Sequence, residues 1–163
     1  MMHHTLEHAL NSDDGNPALL DTATGALSRE AFVLRLEEAA ALAGRLGYGL
    51  SVVMVDLRGP EALCYAHGAE VVDRILAEIV DRLWSIARKS DSVARTGPAR
   101  LCVLLAATDL EGAEVYAERL RSYLSEVYTY KGTPLQATID VSVTGTLPGE
   151  IPDGDALLHQ IHA

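Results

Sequence analysis

Apolar residues recur along this chain with two kinds of spacing. Repeats of three and four residues predict helices, which cover residues 28–46, 60–67, 70–87, 107–127 and 155–162. Continuous or alternating apolar runs predict strands, which cover residues 48–56, 92–95, 101–106 and 136–145. This order of elements predicts an α/β domain with a central mixed sheet.

The same spacings predict which side chains form the core. In the helix over 70–87 the inward positions are Val71, Val72, Ile75, Leu76, Ile79, Val80, Leu83 and Ile86. In the helices over 28–46 and 107–127 they are Phe32, Leu36, Ala39 or Ala40, Leu46, Val115, Leu120 and Leu124. The last strand alternates, with Ala137, Ile139, Val141 and Val143 facing inward and Thr138, Asp140, Ser142 and Thr144 on a wetter face.

Composition and charge narrow the class of protein. The chain has 163 residues and is 48% apolar, which is typical of one globular domain with a proper core. Its net charge of −10 argues against nucleic-acid binding through phosphate contacts. It contains no apolar run of membrane-spanning length and no signal-peptide pattern, so we expect a cytoplasmic protein. Cys64 and Cys102 lie among apolar residues and are predicted to be free thiols.

Residues 1–20 are predicted to be a leader or linker, and residues 21–163 to form the domain. His3 and His4 are expected to belong to a solvated tail or tag, because nothing nearby completes a set of metal ligands. His159 and His162 are expected to lie on a frayed, solvated terminus. The sequence therefore predicts no metal site at either end.

Residues 88–105 contain most of the candidate functional side chains. Its two strands are predicted to pair around the turn Thr96-Gly97-Pro98-Ala99, where Gly tolerates a positive φ and Pro fixes its own. Hairpin tips often carry functional side chains. This tip carries no carboxylate, and Arg100 follows it directly.

The chain resembles GGDEF domains, the diguanylate cyclases that join two GTP molecules into cyclic di-GMP. The family's tip reads Arg-Tyr-Gly-Gly-Asp/Glu-Glu-Phe, and here it reads Arg95-Thr96-Gly97-Pro98-Ala99-Arg100-Leu101. The family's opening signature is matched by Asp21, Thr24, Gly25, Arg29 and Phe32, and later landmarks by Gly68 and Asp73. No gap is needed between Asp56 and Arg95 to keep these matches in register. The resemblance implies a nucleotide-cyclase-like α/β fold, with a central mixed, mainly antiparallel sheet flanked by helices. An ion pair of Asp21 with Arg29 would hold its start.

The resemblance implies that the metal site of a cyclase is incomplete here. In the family, the residue matching Asp56 and the first acidic residue of the tip hold the divalent metals on GTP. Ala99 stands at the second of these positions, and Arg100 places a cation where the family has another carboxylate. From the residues alone, Asp56 has the alternative of capping the turn that follows its strand.

The nucleotide-binding parts implied by the resemblance are also altered. Pro98 replaces a Gly and removes a backbone N–H beside the phosphates. Cys64 replaces an Asn that reads guanine, although Asp73, the other guanine-reading residue, is present. The chain also ends before the family's last cationic segment. We therefore expect a degenerate diguanylate cyclase that is not an enzyme, with no catalytic residue, no metal and no cofactor.

A second site implied by the resemblance is present. Many GGDEF domains bind cyclic di-GMP at an Arg-x-x-Asp that ends five residues before the tip, and Arg88-Lys89-Ser90-Asp91 matches it. An Arg fork suits guanine acceptors or a phosphate, and an Asp accepts from guanine N–H groups. Arg119 matches a cation that a neighbouring domain often adds to this site. The alternative is a solvated ion pair between Arg88 and Asp91 at a helix end.

The sequence thus predicts a cyclic di-GMP receptor in bacterial signalling, with Arg88, Asp91 and Arg119 as ligand-binding residues. Its expected partners are cyclic di-GMP, a second copy of the chain through the ligand site, and a downstream protein of unknown identity. The alternative hypothesis is a nucleotide-free dimerisation or protein-interaction module. A residual GTP-converting enzyme is the third hypothesis.

Overall fold

The computed structural model describes residues 19–124 and 127–162, with only the backbone of His162. His3 and His4 lie outside these residues. The helices are α1 (Arg29–Leu46), α2 (Pro60–His67), α3 (Val71–Ile86), α4 (Leu110–Tyr123) and α5 (Gly154–His162). The strands are β1 (Leu50–Leu57), β2 (Ser92–Gly97), β3 (Arg100–Ala106), β4 (Val127–Tyr130), β5 (Thr133–Gln136) and β6 (Ile139–Gly145).

Four strands form a central sheet in the order β2-β3-β1-β6, and each neighbouring pair is antiparallel. A single parallel bridge joins Leu27 to Ala94 at the β2 edge. The two inner strands, β1 and β3, are the continuous apolar runs of the sequence, as expected for strands covered on both faces. The predicted α/β fold with a mainly antiparallel sheet is confirmed.

Alternate residues of β1 and β3 enter two separate cores, because successive side chains of a strand point to opposite faces. On one face, Val53 and Val103 pack in a core that α3, α4 and the β4–β5 hairpin also enter. On the other face, Val52 and Leu104 pack in a core built with α1 and α5. Leu19 and Leu20, which the sequence placed in the leader, pack against this second core.

The boundaries of α1 follow from its caps. The Ser28 hydroxyl accepts a hydrogen bond from the backbone N–H of Ala31, and Gly47 ends the helix in the left-handed region with φ of 74°. Phe32, Leu36 and Ala40 are buried as predicted. Leu46 is 52% exposed, so its predicted core position is wrong.

The predicted helix over 107–127 is too long at both ends. Asp109 caps α4 by accepting from the N–H of Gly112, and Leu124 takes an extended conformation after its last turn. The chain then forms the β4–β5 hairpin, which the sequence reading missed. Lys131 and Gly132 both have positive φ at its turn, as the common two-residue hairpin turns require.

The last strand begins at Ile139, three residues later than predicted, and its alternation is largely confirmed. Ile139, Val141 and Val143 pack against the core as expected. Thr144, assigned to the wetter face, is buried. No described helix has both the length and the apolar character that crossing a membrane demands.

Candidate functional site

The tip of the β2–β3 hairpin holds an ion pair between strands. Asp56 of β1 and Arg100 of β3 are directly opposite each other in the antiparallel ladder. Arg100 donates from Nε to Oδ1 of Asp56 at 2.6 Å and from Nη2 to Oδ2 at 3.2 Å. The hydrogen bond to Asp56 raises the pKa of Arg100. Asp56 therefore does not cap the following turn, because its carboxylate is engaged with Arg100.

The same guanidinium connects the sheet to the last helix. Nη1 of Arg100 donates to the backbone carbonyl of Ile161 in α5. Ile161 is fully buried against the second core, so its position is fixed by packing. Arg100 thus joins β1, β3 and α5 at one point.

A second ion-pair cluster lies beside the first, around Arg95 of β2. Its guanidinium donates to Asp73 of α3 at 2.8 Å and to Asp21 at 3.3 Å. It also donates to the carbonyl of Pro98 at 2.6 Å, within the hairpin tip. Asp21 accepts from the hydroxyl of Thr24 as well, at 2.6 Å. The ion pair formed by Asp21 is therefore with Arg95, whereas the sequence predicted Arg29.

A cleft of about 670 Å³ lies at the end of the β2–β3 hairpin opposite its tip, between the end of α3 and one face of α4. Its lining combines charged, hydroxyl and apolar side chains: Ile86, Arg88, Asp91, Leu105, Thr108, Val115, Tyr116, Arg119 and Tyr123. Three of the apolar ones are substantially exposed, with Ile86 at 40%, Val115 at 53% and Tyr123 at 45%.

The exposure of Val115 and Ile86 corrects two predicted core positions. The core line of α4 runs through Ala113, Ala117 and Leu120, all buried. Val115 is two residues from Ala113, about 200° around the helix, and so it faces the cleft. Ile86 is the last residue of α3. The two side chains give the cleft apolar walls.

Arg88 and Asp91 form a closed turn at one end of the cleft. Oδ2 of Asp91 accepts from the backbone N–H of Arg88 at 3.0 Å and from its Nε at 3.4 Å, while Oδ1 accepts from Nη2 at 3.2 Å. Nη2 also donates to Oγ1 of Thr108 at 3.0 Å. The Asp91 side chain is 1% exposed and that of Arg88 is 58% exposed. The ion pair of Arg88 with Asp91, which the sequence offered as the alternative to a ligand site, is present, but its carboxylate is buried and only its guanidinium is accessible.

Arg119 and Tyr116 complete the polar lining of the cleft. Arg119 is exposed and makes no hydrogen bond or ion pair with any residue that the structure describes. The Tyr116 hydroxyl is buried and has no hydrogen-bond partner within the described part of the chain. Burial, and after it the negative charge of Asp91, raises the pKa of Tyr116 to about 12. Tyr116 therefore stays a neutral donor at physiological pH.

Metal and thiol chemistry gain no support from the described residues. Across residues 19–124 and 127–162, no three His, Cys, Asp or Glu side chains meet in a group that would hold a metal. Cys64 and Cys102 are free thiols, as predicted. Burial raises the pKa of Cys102 to about 11, which keeps this thiol protonated and unreactive. Nδ1 of His159 lies 2.9 Å from the carbonyl of Asp155, within its own helix.

Residues 18–162 match the protein family described as "Diguanylate cyclase, GGDEF domain". The chain belongs to the GGDEF domain family. Diguanylate cyclase DgcP of Pseudomonas aeruginosa is 32% identical over 84% of the chain and 21% of its own length. The chain spans between 16% and 21% of the length of the curated relatives it matches.

Solved structures show the same fold. A sensory box/GGDEF family protein from Caulobacter crescentus is 26% identical, with a TM-score of 0.78 over 89% of this chain and 94% of that one. The GGDEF domain of DgcB from Caulobacter crescentus, in complex with cyclic di-GMP, is 20% identical. Its TM-score is 0.75 over 90% of this chain and 85% of that one.

The GGDEF fold brings the three predicted ligand-site residues, Arg88, Asp91 and Arg119, to one cleft. The sequence reading did not select Tyr116 or Thr108 for this site. A signal for Tyr116 was available, because it lies three residues before Arg119 and so shares its helix face. No local pattern pointed to Thr108, whose contact with Arg88 joins residues 20 apart.

Proposed function

We propose that this GGDEF domain is a non-catalytic receptor that binds cyclic di-GMP in the cleft of Arg88, Asp91 and Arg119. The observation that carries the proposal is the cleft itself, in which two accessible guanidinium groups stand beside exposed apolar side chains. Cyclic di-GMP presents two phosphates and two purine bases, and so needs both kinds of contact.

The polar contacts are supplied by the two arginines. Guanidinium groups bind phosphate oxygens and the paired acceptors of guanine through two parallel hydrogen bonds. Among the described residues, Nη1 of Arg88 donates no hydrogen bond, and Arg119 makes no side-chain hydrogen bond or ion pair. Asp91 holds Arg88 at the rim, so its first role is to position that guanidinium.

The apolar contacts are supplied by the walls. Ile86, Val115 and Tyr123 are partly exposed in the cleft lining and offer apolar surface to the bases. Aromatic side chains stack on bases, and each such stack contributes about 1–3 kcal/mol. A cavity of about 670 Å³ lies within the range of small-molecule sites.

The absence of catalysis is supported by the hairpin tip. Phosphoryl transfer by this family needs divalent metals on the phosphates, and Mg²⁺ requires free carboxylate oxygens. Here both oxygens of Asp56 accept from Arg100, and the tip contributes Ala99 where a second carboxylate would be needed. Asp73 is likewise engaged, with Arg95. These residues do not fit a metal–GTP site, and no cofactor is proposed.

Calorimetric titration of cyclic di-GMP into the full chain tests the proposal, with GTP and Mg²⁺ in a parallel titration. We expect saturable binding of cyclic di-GMP, no binding of GTP with Mg²⁺, and no turnover of GTP. Arg88→Ala and Arg119→Ala should each weaken binding at least tenfold. Arg74→Ala is the control, because Arg74 is exposed on α3, lies outside the cleft lining and makes no side-chain hydrogen bond or ion pair with the described residues, so its removal should leave the affinity unchanged. Equal affinity of wild type and Arg119→Ala would refute this site.

A nucleotide-free interaction module is the second candidate, favoured by the same exposed apolar walls. A related diguanylate cyclase, SiaD of Pseudomonas aeruginosa, has been crystallised with its activator SiaC, and it is 26% identical to this chain. A dimer that forms without nucleotide, and that Val115→Asp disrupts, would favour this candidate. The cytoplasmic location, the homodimer and the downstream protein stay predictions.

A further inference from the structure

Tyr116 lines the cleft, and its hydroxyl is a donor without a partner among the described residues. Its oxygen is buried without a hydrogen-bond partner among the described residues. A buried polar group without a partner costs about 1–3 kcal/mol. Its ring lines the same cleft as Asp91 and Arg88. Such a group is explained if the protein has a second state in which the hydroxyl is paired.

Asp91 is the acceptor that would need a new partner in that state. Within the described chain, Oδ1 of Asp91 accepts only from Nη2 of Arg88, while Oδ2 also accepts from a backbone N–H. A ligand that takes both Nη groups of Arg88 for a two-point contact leaves Oδ1 without a donor. Because the Asp91 side chain is almost fully buried, water does not readily replace the lost bond.

We propose that Tyr116 is a positioning residue of this site: when a ligand draws the Arg88 guanidinium outward, the Tyr116 hydroxyl donates to Oδ1 of Asp91. This inference rests on the proposed function, because the ligand supplies the pull on Arg88. It gives Oδ1 of Asp91 one donor in each state. It also explains a tyrosine hydroxyl that has no partner among the described residues.

Tyr116→Phe in the full chain removes only the hydroxyl and tests the exchange. The thermal midpoint without ligand should be unchanged or higher, because no hydrogen bond of the free state is lost. The dissociation constant for cyclic di-GMP should rise about tenfold, since a hydrogen bond to a charged group forms only in the bound state. A lower thermal midpoint without ligand would contradict the proposal, because it would mean that the hydroxyl is already paired.

Tyr128→Phe is the matched control, since the Tyr128 hydroxyl is also buried without a described partner and lies outside the cleft lining. It should bind cyclic di-GMP within twofold of wild type. In protein labelled at tyrosine Cζ with ¹³C, the Tyr116 resonance should shift on saturation with cyclic di-GMP. The Tyr128 resonance should stay in place.

The outcomes separate the two proposals. If wild type binds cyclic di-GMP and Arg119→Ala does not, but Tyr116→Phe binds as wild type does, the cleft is the ligand site and the Tyr116 exchange is wrong. A Tyr116 resonance that does not shift on saturation gives the same conclusion. If wild type binds no cyclic di-GMP, the proposed function itself is wrong, and the exchange is wrong with it.

Discussion

Arg100 and Asp56 face each other across neighbouring strands and share two hydrogen bonds at the point where the β2–β3 hairpin ends. The carboxylate that the sequence suggested as a metal ligand is thus neutralised by a cation of the same chain. The third bond of Arg100, to the Ile161 carbonyl, makes the pair part of the packing of α5. The hairpin tip has a structural role that requires no ligand.

Removing Arg100 should destabilise the domain. Arg100→Ala leaves Asp56 and the Ile161 carbonyl without their donor, and we expect a loss of about 1–2 kcal/mol in the free energy of unfolding. Urea unfolding measures it. Arg58→Ala is the control, because its ion pair with Asp140 is more exposed and should matter less. If Arg100→Ala and Arg58→Ala lose equal free energy of unfolding, the Arg100 ion pair stabilises the domain no more than an exposed one does.

Arg100→Glu should convert the ion pair into a weak cation site. Two carboxylates at directly opposed strand positions repel each other, so this variant should be less stable than Arg100→Ala. Millimolar Mg²⁺ or Ca²⁺ should raise its thermal midpoint, because oxygen ligands from two carboxylates bind these ions. Wild type and Arg100→Ala should not respond. A rise of similar size in all three proteins would contradict this account of Asp56.

Arg95→Lys should be destabilising although it preserves the charge. The Arg95 guanidinium reaches Asp21, Asp73 and the Pro98 carbonyl together, and its side chain is only 13% exposed. A Lys ammonium cannot present donors in this planar arrangement. We expect a loss of about 2 kcal/mol in the free energy of unfolding, measured with urea. If Arg95→Lys is as stable as wild type, a positive charge at this position is sufficient for stability, and the planar guanidinium is not required.

The stability of the domain should fall as the pH rises above about 9. Burial raises the pKa of Cys102 from 9.0 to about 11, so the unfolded chain loses this proton at a lower pH than the folded one. The stabilisation is complete below pH 9 and is lost as the pH approaches 11, by about 1 kcal/mol between pH 7.5 and 9.5.

Urea unfolding at pH 7.5 and at pH 9.5 measures this change in the free energy of unfolding. Cys102→Ala should remove most of the pH dependence, whatever its effect on overall stability. A slope that is unchanged in Cys102→Ala would assign the titration to another group.

The sequence by itself determined the family and the order of the elements other than β4 and β5. Continuous apolar runs indicated β1 and β3, because a strand that is buried on both faces is apolar at every position. Apolar residues spaced by three and four indicated α3, because a helix that is buried along one face is apolar only along that face. The sequence also selected Arg88, Asp91 and Arg119, since local motifs keep their spacing. It missed the β4–β5 hairpin, whose short strands have too few residues to show a period.

Only the tertiary structure decided how the charged residues are paired. The pair of Asp56 with Arg100 joins positions 44 residues apart, and that of Arg95 with Asp21 joins positions 74 apart. Strand register and the packing of helices set these distances, and no local spacing encodes them. The burial of the Tyr116 hydroxyl without a partner among the described residues has the same origin, because tertiary packing and not local spacing sets it.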